Sequence, residues 1–352
     1  MSAATMHRPA LSVVVPCYNE ALNLEPLHAR VSAAARAAVG EDYELVLIND
    51  GSRDDSWAVM QRLAARDPRV VAINLSRNHG HQLALTAGLD LCSGQQILII
   101  DADLQDPPEL LADMRRVMRE EGADVVYAVR RRREGETVFK RATAALFYRL
   151  LDRVTDTPIP LDTGDFRLMS RRALDAFLSL PEQARFIRGM VAWIGFRQVP
   201  FPYDRAERFA GETNYPLGKM VRLAFDAVTG FSTAPLRFAS HASVILAAAS
   251  VLLLFYIGWG YFEGDPVQGW TSTMLVVTVL SAVQMFVLGM IGEYLGRLYV
   301  ESKRRPLYLV ADVAGPVQGR ATLGYRAEEP EAEGTASVTM ETPGVMGTLP
   351  TR

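Results

Sequence analysis

Gln95-Gln-Ile-Leu-Ile-Ile-Asp-Ala-Asp-Leu-Gln-Asp106 is an apolar run that stops on three closely spaced carboxylates, Asp101, Asp103 and Asp106. A short β-branched run of this kind predicts a buried strand, and its acidic end predicts a strand that hands the chain to a polar edge. Four similar runs surround it: LSVVVP from Leu11, YELVLIND from Tyr43, RVVAINLS from Arg69 and ADVVYAVR from Ala123. Helical patterns lie between several of them, at Leu22 to Ala38 and Asp54 to Ala65. Such alternation predicts an α/β domain with a largely parallel sheet. Ligands of open α/β sheets sit at the carboxyl ends of the strands, so the polar residues closing these runs are where a site is expected.

Three strand ends are rich in such residues. The first closes in Pro16-Cys-Tyr-Asn-Glu20, the second in Asn49-Asp-Gly-Ser52, and a later one in Asp101-Ala-Asp-Leu-Gln105. Closely spaced carboxylates are hard oxygen donors of the kind Mg²⁺ or Mn²⁺ takes, usually with phosphate oxygens completing the shell. Tyr18 suits stacking on a base, and Glu20 and Asp50 suit hydrogen bonds from base or ribose. Each residue alone reads equally as a helix cap or a turn residue. All three segments together, converging on one cleft, point to a binding site. His79 and His81 in RNHGHQ lack a third ligand at metal-site spacing, so a loop or capping role is expected of them.

The net charge of -3 gives no overall basic balance for a nucleic-acid partner. The two cysteines, Cys17 and Cys92, have neither metal-ligand spacing nor a disulfide framework. The run Leu11 to Val15 is too short for a signal peptide, so the folded part is expected in the cytoplasm.

Two stretches, Ala239 to Tyr261 and Thr271 to Gly292, contain no Asp, Glu, Lys or Arg. Each exceeds the roughly 20 residues that span a bilayer, although a buried hairpin of a soluble protein would share the pattern. Their connection carries Glu263 and Asp265, whereas Arg237, Arg297, Lys303, Arg304 and Arg305 flank the outer ends. By the positive-inside rule both termini are then cytoplasmic. Ahead of them, Tyr215 to Thr229 has apolar residues at helical spacing, which predicts an amphipathic helix in the membrane interface or packed on a core. Arg130 to Arg149 is densely basic, a pattern shared by solvated surfaces and by sites for a lipid phosphate. Beyond about Val310 the chain is aperiodic and rich in Gly, Thr, Pro and Glu, which predicts disorder.

Taken together, PCYNE, NDGSRDDS, RNHGHQLALTAGL, DADLQDPPE and GDFRLMS resemble the family-2 glycosyltransferases of the GT-A fold. More narrowly, they resemble polyprenyl-phosphate glycosyltransferases, a group that includes dolichol-phosphate mannose synthase and bacterial undecaprenyl-phosphate glucosyltransferases. The resemblance covers about residues 10 to 300. It implies a Rossmann-like GT-A domain over 11–210, a juxtamembrane region over 211–237, a two-helix anchor over 238–297 and a largely disordered tail over 298–352, after a disordered stretch 1–10. It implies nucleotide-sugar contacts at Pro16, Tyr18, Glu20, Asp50 and Asp101, with metal contacts at Asp103, Gln105 and Asp101. It also implies a catalytic carboxylate at Asp165 and lipid-phosphate contacts at Arg133, Lys140 and Arg141. Two positions depart from the family pattern. Asn49 stands where an aspartate is common, and Asn214 stands where a lysine is usual, which leaves Arg208 or Lys219 to meet the diphosphate.

The implied reaction is metal-dependent, inverting transfer of a hexose from a nucleotide-sugar to a polyprenyl phosphate at the cytoplasmic membrane face. UDP-glucose and undecaprenyl phosphate are the expected pair; GDP-mannose, UDP-GlcNAc and a modified aminosugar are the other donors. Membrane lipids, and a second copy through the membrane helices, are the other expected partners. A non-catalytic membrane scaffold is the reading of another class, and the intact Asp103, Gln105 and Asp165 speak against it.

Overall fold

A computed structural model describes residues 8–130, 163–204, 234–263 and 269–316 of the chain. The five strands expected from sequence form as β1 (Leu11–Cys17), β2 (Tyr43–Asn49), β3 (Val70–Leu75), β4 (Gln96–Ile99) and β5 (Val125–Arg130). Helices α1 (Leu24–Val39), α2 (Ser56–Arg66), α3 (His81–Leu91) and α4 (Leu111–Glu120) connect them. Every residue of β1 is buried, which is why its sequence is a continuous apolar run with no alternation.

Three strands were not foreseen. β6 (Thr163–Ser170) enters antiparallel between β4 and β5, β7 (Gln198–Tyr203) pairs with β5, and β8 (Val310–Ala314) pairs antiparallel with β3. The order is β7-β5-β6-β4-β1-β2-β3-β8. The central block β4-β1-β2-β3 is parallel, as alternation required, and the flanks make the sheet mixed. Pro200 and Pro202 hid β7 from a sequence reading, and both are tolerated because β7 lies at an edge. The tail expected to be structureless from Val310 instead begins by closing the other edge, while residues 317–352 lie outside the described part.

Two apolar layers sandwich the sheet. Leu24, Leu27, Met60, Leu63 and Met114 pack on one face, and Leu85, Leu89, Leu174, Phe177 and Met190 on the other. The second layer includes α5 (Arg171–Leu178) and α6 (Ile187–Trp193). Helix α3 approaches β1 and β2 very closely at Gly88, where a Cβ would meet Ile48 Cδ1 and Val14 Cγ1 at 2.5 Å. The chain runs out from β1 to β2 and β3 on one side and to β4 on the other, so the sheet's switch point lies between β1 and β4.

Beyond this domain stand two long helices packed on each other, α7 (Ala234–Glu263) and α8 (Trp270–Ser302). Among the described residues one helical stretch, Val276–Ser302, is long and apolar enough to cross a membrane; Phe238–Leu253 is a shorter apolar stretch. Large apolar side chains including Ile245, Leu252, Phe255, Trp259, Met285 and Phe286 are exposed along the pair. Soluble proteins rarely display so continuous an apolar surface. The expected interfacial helix at 215–229 lies outside the described residues.

Candidate functional site

The site is assembled at the carboxyl ends of β1, β2 and β4, where the switch point predicts it. Continuing the β4–β6 register (Ile99 opposite Arg167) by two residues places Asp165 across from Asp101. Two acids distant in sequence thus become neighbours by strand pairing alone. Leu104, buried and at φ 61°, turns the chain through the left-handed region between Asp103 and Gln105. That conformation is uncommon outside glycine and is held here by burial of the leucine side chain. Asp103 accepts from the Gln105 amide at 3.1 Å.

A second loop is brought in by β2. Asp50 is buried, and its two oxygens accept from the backbone N–H groups of His79 (2.7 Å) and Gly80 (3.0 Å). Burial raises the Asp50 pKa, and these two amides work against that rise. Gly51, at φ +63°, lies so close to the same loop that a Cβ would stand 2.5 Å from Asn78 N and 2.6 Å from the Arg77 carbonyl carbon. Only glycine meets both demands. The effect is to fix the start of α3, whose first residue is His81.

His81 is the residue that joins the parts. Its Nε2 lies 2.9 Å from Asp165 Oδ2 and 3.8 Å from Asp101 Oδ1. Gln82 Nε2 donates to Asp165 Oδ2 at 3.3 Å, and Arg188 Nε from α6 donates to Asp165 Oδ1 at 2.8 Å. Arg167, fully buried, lies 3.8 Å from the same carboxylate and donates to the backbone oxygens of Gly164 and Asp165. Burial alone would push the Asp165 carboxyl up, but the His81 hydrogen bond and the charges of Arg188 and Arg167 hold it well below the usual carboxylate range. Asp101 goes the other way. Burial, with the repulsion of Asp165, Asp106 and Asp103, outweighs the attraction of His81 and raises it to about 6.

Asp101 Oδ1 is buried without a hydrogen-bond partner. A buried carboxylate oxygen in that state is costly, and a cation beside it would offset the cost. Among the described residues no group of three or more His, Cys, Asp or Glu is arranged to hold a metal. Asp101, Asp103 and Gln105 do offer oxygen atoms of the hard kind that a divalent ion takes. Asp106, behind this loop, accepts from the buried Tyr203 hydroxyl at 2.5 Å, and Tyr203 packs edge-on against Phe166 with ring centroids 5.6 Å apart.

The other expected residues fall as follows. Pro16 is buried near the end of β1, and Tyr18 just beyond it is 42% exposed, open to a stacking partner. Glu20 Oε2 accepts from Asn23 at 2.5 Å, and the Glu20 amide donates to Ser56 Oγ at 2.9 Å. Asn49, the departure from two aspartates, bridges β2 to β3 by donating to Asn74 Oδ1 at 2.7 Å. Arg133, Lys140, Arg141 and Arg208 lie outside the described residues, as do Asn214 and Lys219. Sequence reasoning singled out His81 without giving it a chemical role and passed over Gln82 and Arg188. Their part depends on contacts 84, 83 and 23 residues away along the chain, to which local spacing is blind.

Residues 12–178 match the family described as "Glycosyl transferase family 2", and residues 234–298 match the "GtrB C-terminal hairpin". The chain is 47% identical over 300 residues to the uncharacterized glycosyltransferase YkcC of Bacillus subtilis (strain 168), covering 85% of this chain and 92% of the relative. It is 37% identical over 304 residues to the bactoprenol glucosyl transferase of Shigella phage SfV, covering 85% and 97%. It is 36% identical over 307 residues to the prophage bactoprenol glucosyl transferase homolog of Escherichia coli (strain K12), covering 86% and 99%.

Proposed function

The chain belongs to glycosyl transferase family 2, and from that premise we propose that it moves a glucosyl group from UDP-glucose to a polyprenyl phosphate of the undecaprenyl class. The observation that carries this reading is the joining of Asp101 and Asp165 through His81 at the switch point of the sheet. Glucose and the lipid acceptor are supported by the bactoprenol glucosyl transferases, which the chain resembles along almost their whole length. The hairpin match and the apolar surface of α7 and α8 support an integral membrane anchor of two spanning helices, with the catalytic domain and both termini on the cytoplasmic side. Of the two helices, α8 alone contains a span of full length and apolarity among the described residues.

In this reading Tyr18 stacks on the base, and Pro16, Glu20 and Asp50 shape the nucleotide pocket, Asp50 chiefly through the loop it braces. Asp101, Asp103 and Gln105 hold Mg²⁺ or Mn²⁺, which when bound neutralises charge building on the departing diphosphate. Arg208 meets the same diphosphate, and Arg133, Lys140 and Arg141 meet the lipid phosphate. A lipid phosphate oxygen attacks the anomeric carbon, the bond to the diphosphate oxygen breaks, and configuration inverts.

The acceptor loses its second phosphate proton at about pH 6, so near neutrality it is largely ready to attack without a base. Asp165, held far below the ordinary carboxylate range, is a weak proton acceptor there. Its role is to fix His81, Gln82 and Arg188 in one arrangement beside the reacting atoms, an electrostatic contribution set before substrate arrives. The test is incubation of the purified full chain with undecaprenyl phosphate, Mg²⁺ and UDP-glucose, with GDP-mannose, UDP-GlcNAc and an aminosugar donor in parallel. Glucosyl-lipid from UDP-glucose alone is the expected product. Transfer from another donor would replace the sugar, and donor hydrolysis unaffected by lipid would remove the acceptor.

A further inference from the structure

The last turn of α8 carries a carboxylate, Glu301, where a helix's C-terminal partial charge disfavours one. The structure shows what it does there. Glu301 Oε1 and Oε2 accept from the Gln183 amide at 2.9 and 3.0 Å, and Oε1 also accepts from the Ala184 amide at 3.3 Å. These amides belong to the connection between α5 and α6, and the bond spans 118 residues of chain. Three residues further on, the Ile187 amide at the start of α6 donates to Gln82 Oε1 at 2.9 Å. The Gln82 amide group in turn donates to Asp165, and Arg188, next to Ile187, donates to the other oxygen of Asp165. Hydrogen bonds at either end of the backbone stretch 183–187 thus connect the end of the anchor helix to the carboxylate in the site.

A second tie runs alongside. Tyr308 donates to Asp90 Oδ2 at 3.0 Å near the far end of α3, the helix whose first two residues are His81 and Gln82. The Ser76 amide donates to the Leu309 carbonyl at 2.9 Å just before β8 joins the sheet. Arg185 lies within electrostatic reach of Asp90, Glu182, Glu301 and Tyr308, so both ties meet around one cation. The end of α8 and the segment after it therefore tie down two helices that supply Asp165 with partners, α6 by way of Glu301 and α3 by way of Tyr308.

We propose that Glu301 is a positioning residue for transfer: through residues 183–187 it sets Gln82 and Arg188 on Asp165, so that the membrane end of α8 and the acceptor side of the site move as one unit. This rests on the reading of Asp165 as part of a transferase site served by a membrane acceptor. Bonds of this kind place a group to within a fraction of an ångström, and small misplacement from a distant residue can cost up to about 100-fold in rate.

The test uses the full chain in lipid nanodiscs with Glu301→Ala and Glu301→Gln. A glutamine oxygen can accept from the same amides, so it is the conservative rescue. Glu301→Ala should lower kcat for lipid glycosylation by about tenfold or more, with KM for the donor and affinity for UDP within about twofold of wild type. Glu301→Gln should recover most of the turnover. Hydrogen exchange, which needs no activity, should show faster exchange in Glu301→Ala at the Gln183 and Ala184 amides and also at Ile187 and along α6. If Glu301→Ala does not fold, Glu301→Asp, which draws the carboxylate back by one methylene, takes its place with the same readouts. Wild-type turnover in the alanine variant, or loosening that stops at Ala184, overturns the proposal. So does an equal loss in the alanine and glutamine variants that tracks a fall in melting temperature. A wild-type protein that glycosylates no lipid refutes the proposed function instead, and the exchange experiment then still decides the relay.

Discussion

Asp165 is buried between a histidine, a glutamine and two arginines, and it holds its charge because of them. Asp165→Asn keeps the shape and removes the charge these partners were built around. Turnover with lipid acceptor should fall by roughly 100-fold or more, while UDP affinity by calorimetry stays near wild type. Near-normal turnover would leave the residue a turn-capping role, and lost UDP affinity would move it to the donor side. Asp103→Ala should nearly abolish transfer without unfolding the chain, and EDTA should do so reversibly; full activity in EDTA would remove the metal from the site. Asp101 and Asp103 were legible in the sequence because they close a strand-like run, and Asp165 only through the resemblance of GDFRLMS to the family. His81, Gln82 and Arg188 were not, since nothing local distinguishes a site imidazole from a capping one, or an arginine paired with a buried acid from an unpaired surface one. Gly51 shows the same limit: NDGS reads as a turn, but the close approach of residues 77–78 exists only in three dimensions. Gly51→Ala should push that loop off β2, and with it His81, so turnover should drop together with melting temperature.

At the scale of elements, the parallel block was read correctly because fully buried strands are continuous apolar runs. β6 escaped because its Thr163–Ser170 sequence carries Asp165 and Arg167 in the interior, and two buried charges mask a strand pattern. They are tolerated because each neutralises the other and hydrogen bonds satisfy the rest. The junction of β5, β6 and α5 depends on another acid. Asp124 accepts from Ser170 Oγ at 2.9 Å and from Arg172, and its backbone carbonyl accepts from the Ser170 amide at 2.8 Å. Partial burial pushes the Asp124 carboxyl up, but the bonds from Arg172 and Ser170 prevail and its pKa is lowered. A lowered carboxylate adds stability above its unfolded pKa of about 3.9, and that stability is lost as the pH falls through the folded value. Asp124→Asn should therefore lower the melting temperature at pH 7 and close the gap with wild type as the pH drops below about 4. A gap that is constant from pH 7 to pH 3 would show that charge is not what Asp124 contributes.

Across the whole molecule, the catalytic sheet and the helix hairpin are joined at both ends of the hairpin, by the chain entering α7 and by the return of residues 303–316 to β3. If the hairpin spans the membrane, the connection near Asp265 is on the far side. A cysteine placed there should react with an impermeant reagent applied to intact cells, and labelling only after lysis would reverse the topology. Sequence charge bias predicts an orientation, but the return to the sheet was invisible, because VADVA is too short and too mild to announce a strand in a Gly- and Pro-rich tail. Its position sets a timetable. A ribosome writes β1 to β7 first, then both long helices, and only then the strand that covers the bare edge of β3. Until that moment the sheet carries an open row of backbone donors and acceptors, which is a hazard for aggregation. A chain stopped after Ser302 should accordingly be cut by protease faster than the full chain. This closure can happen only after both long helices exist, so the finished sheet is by construction a product of the completed hairpin.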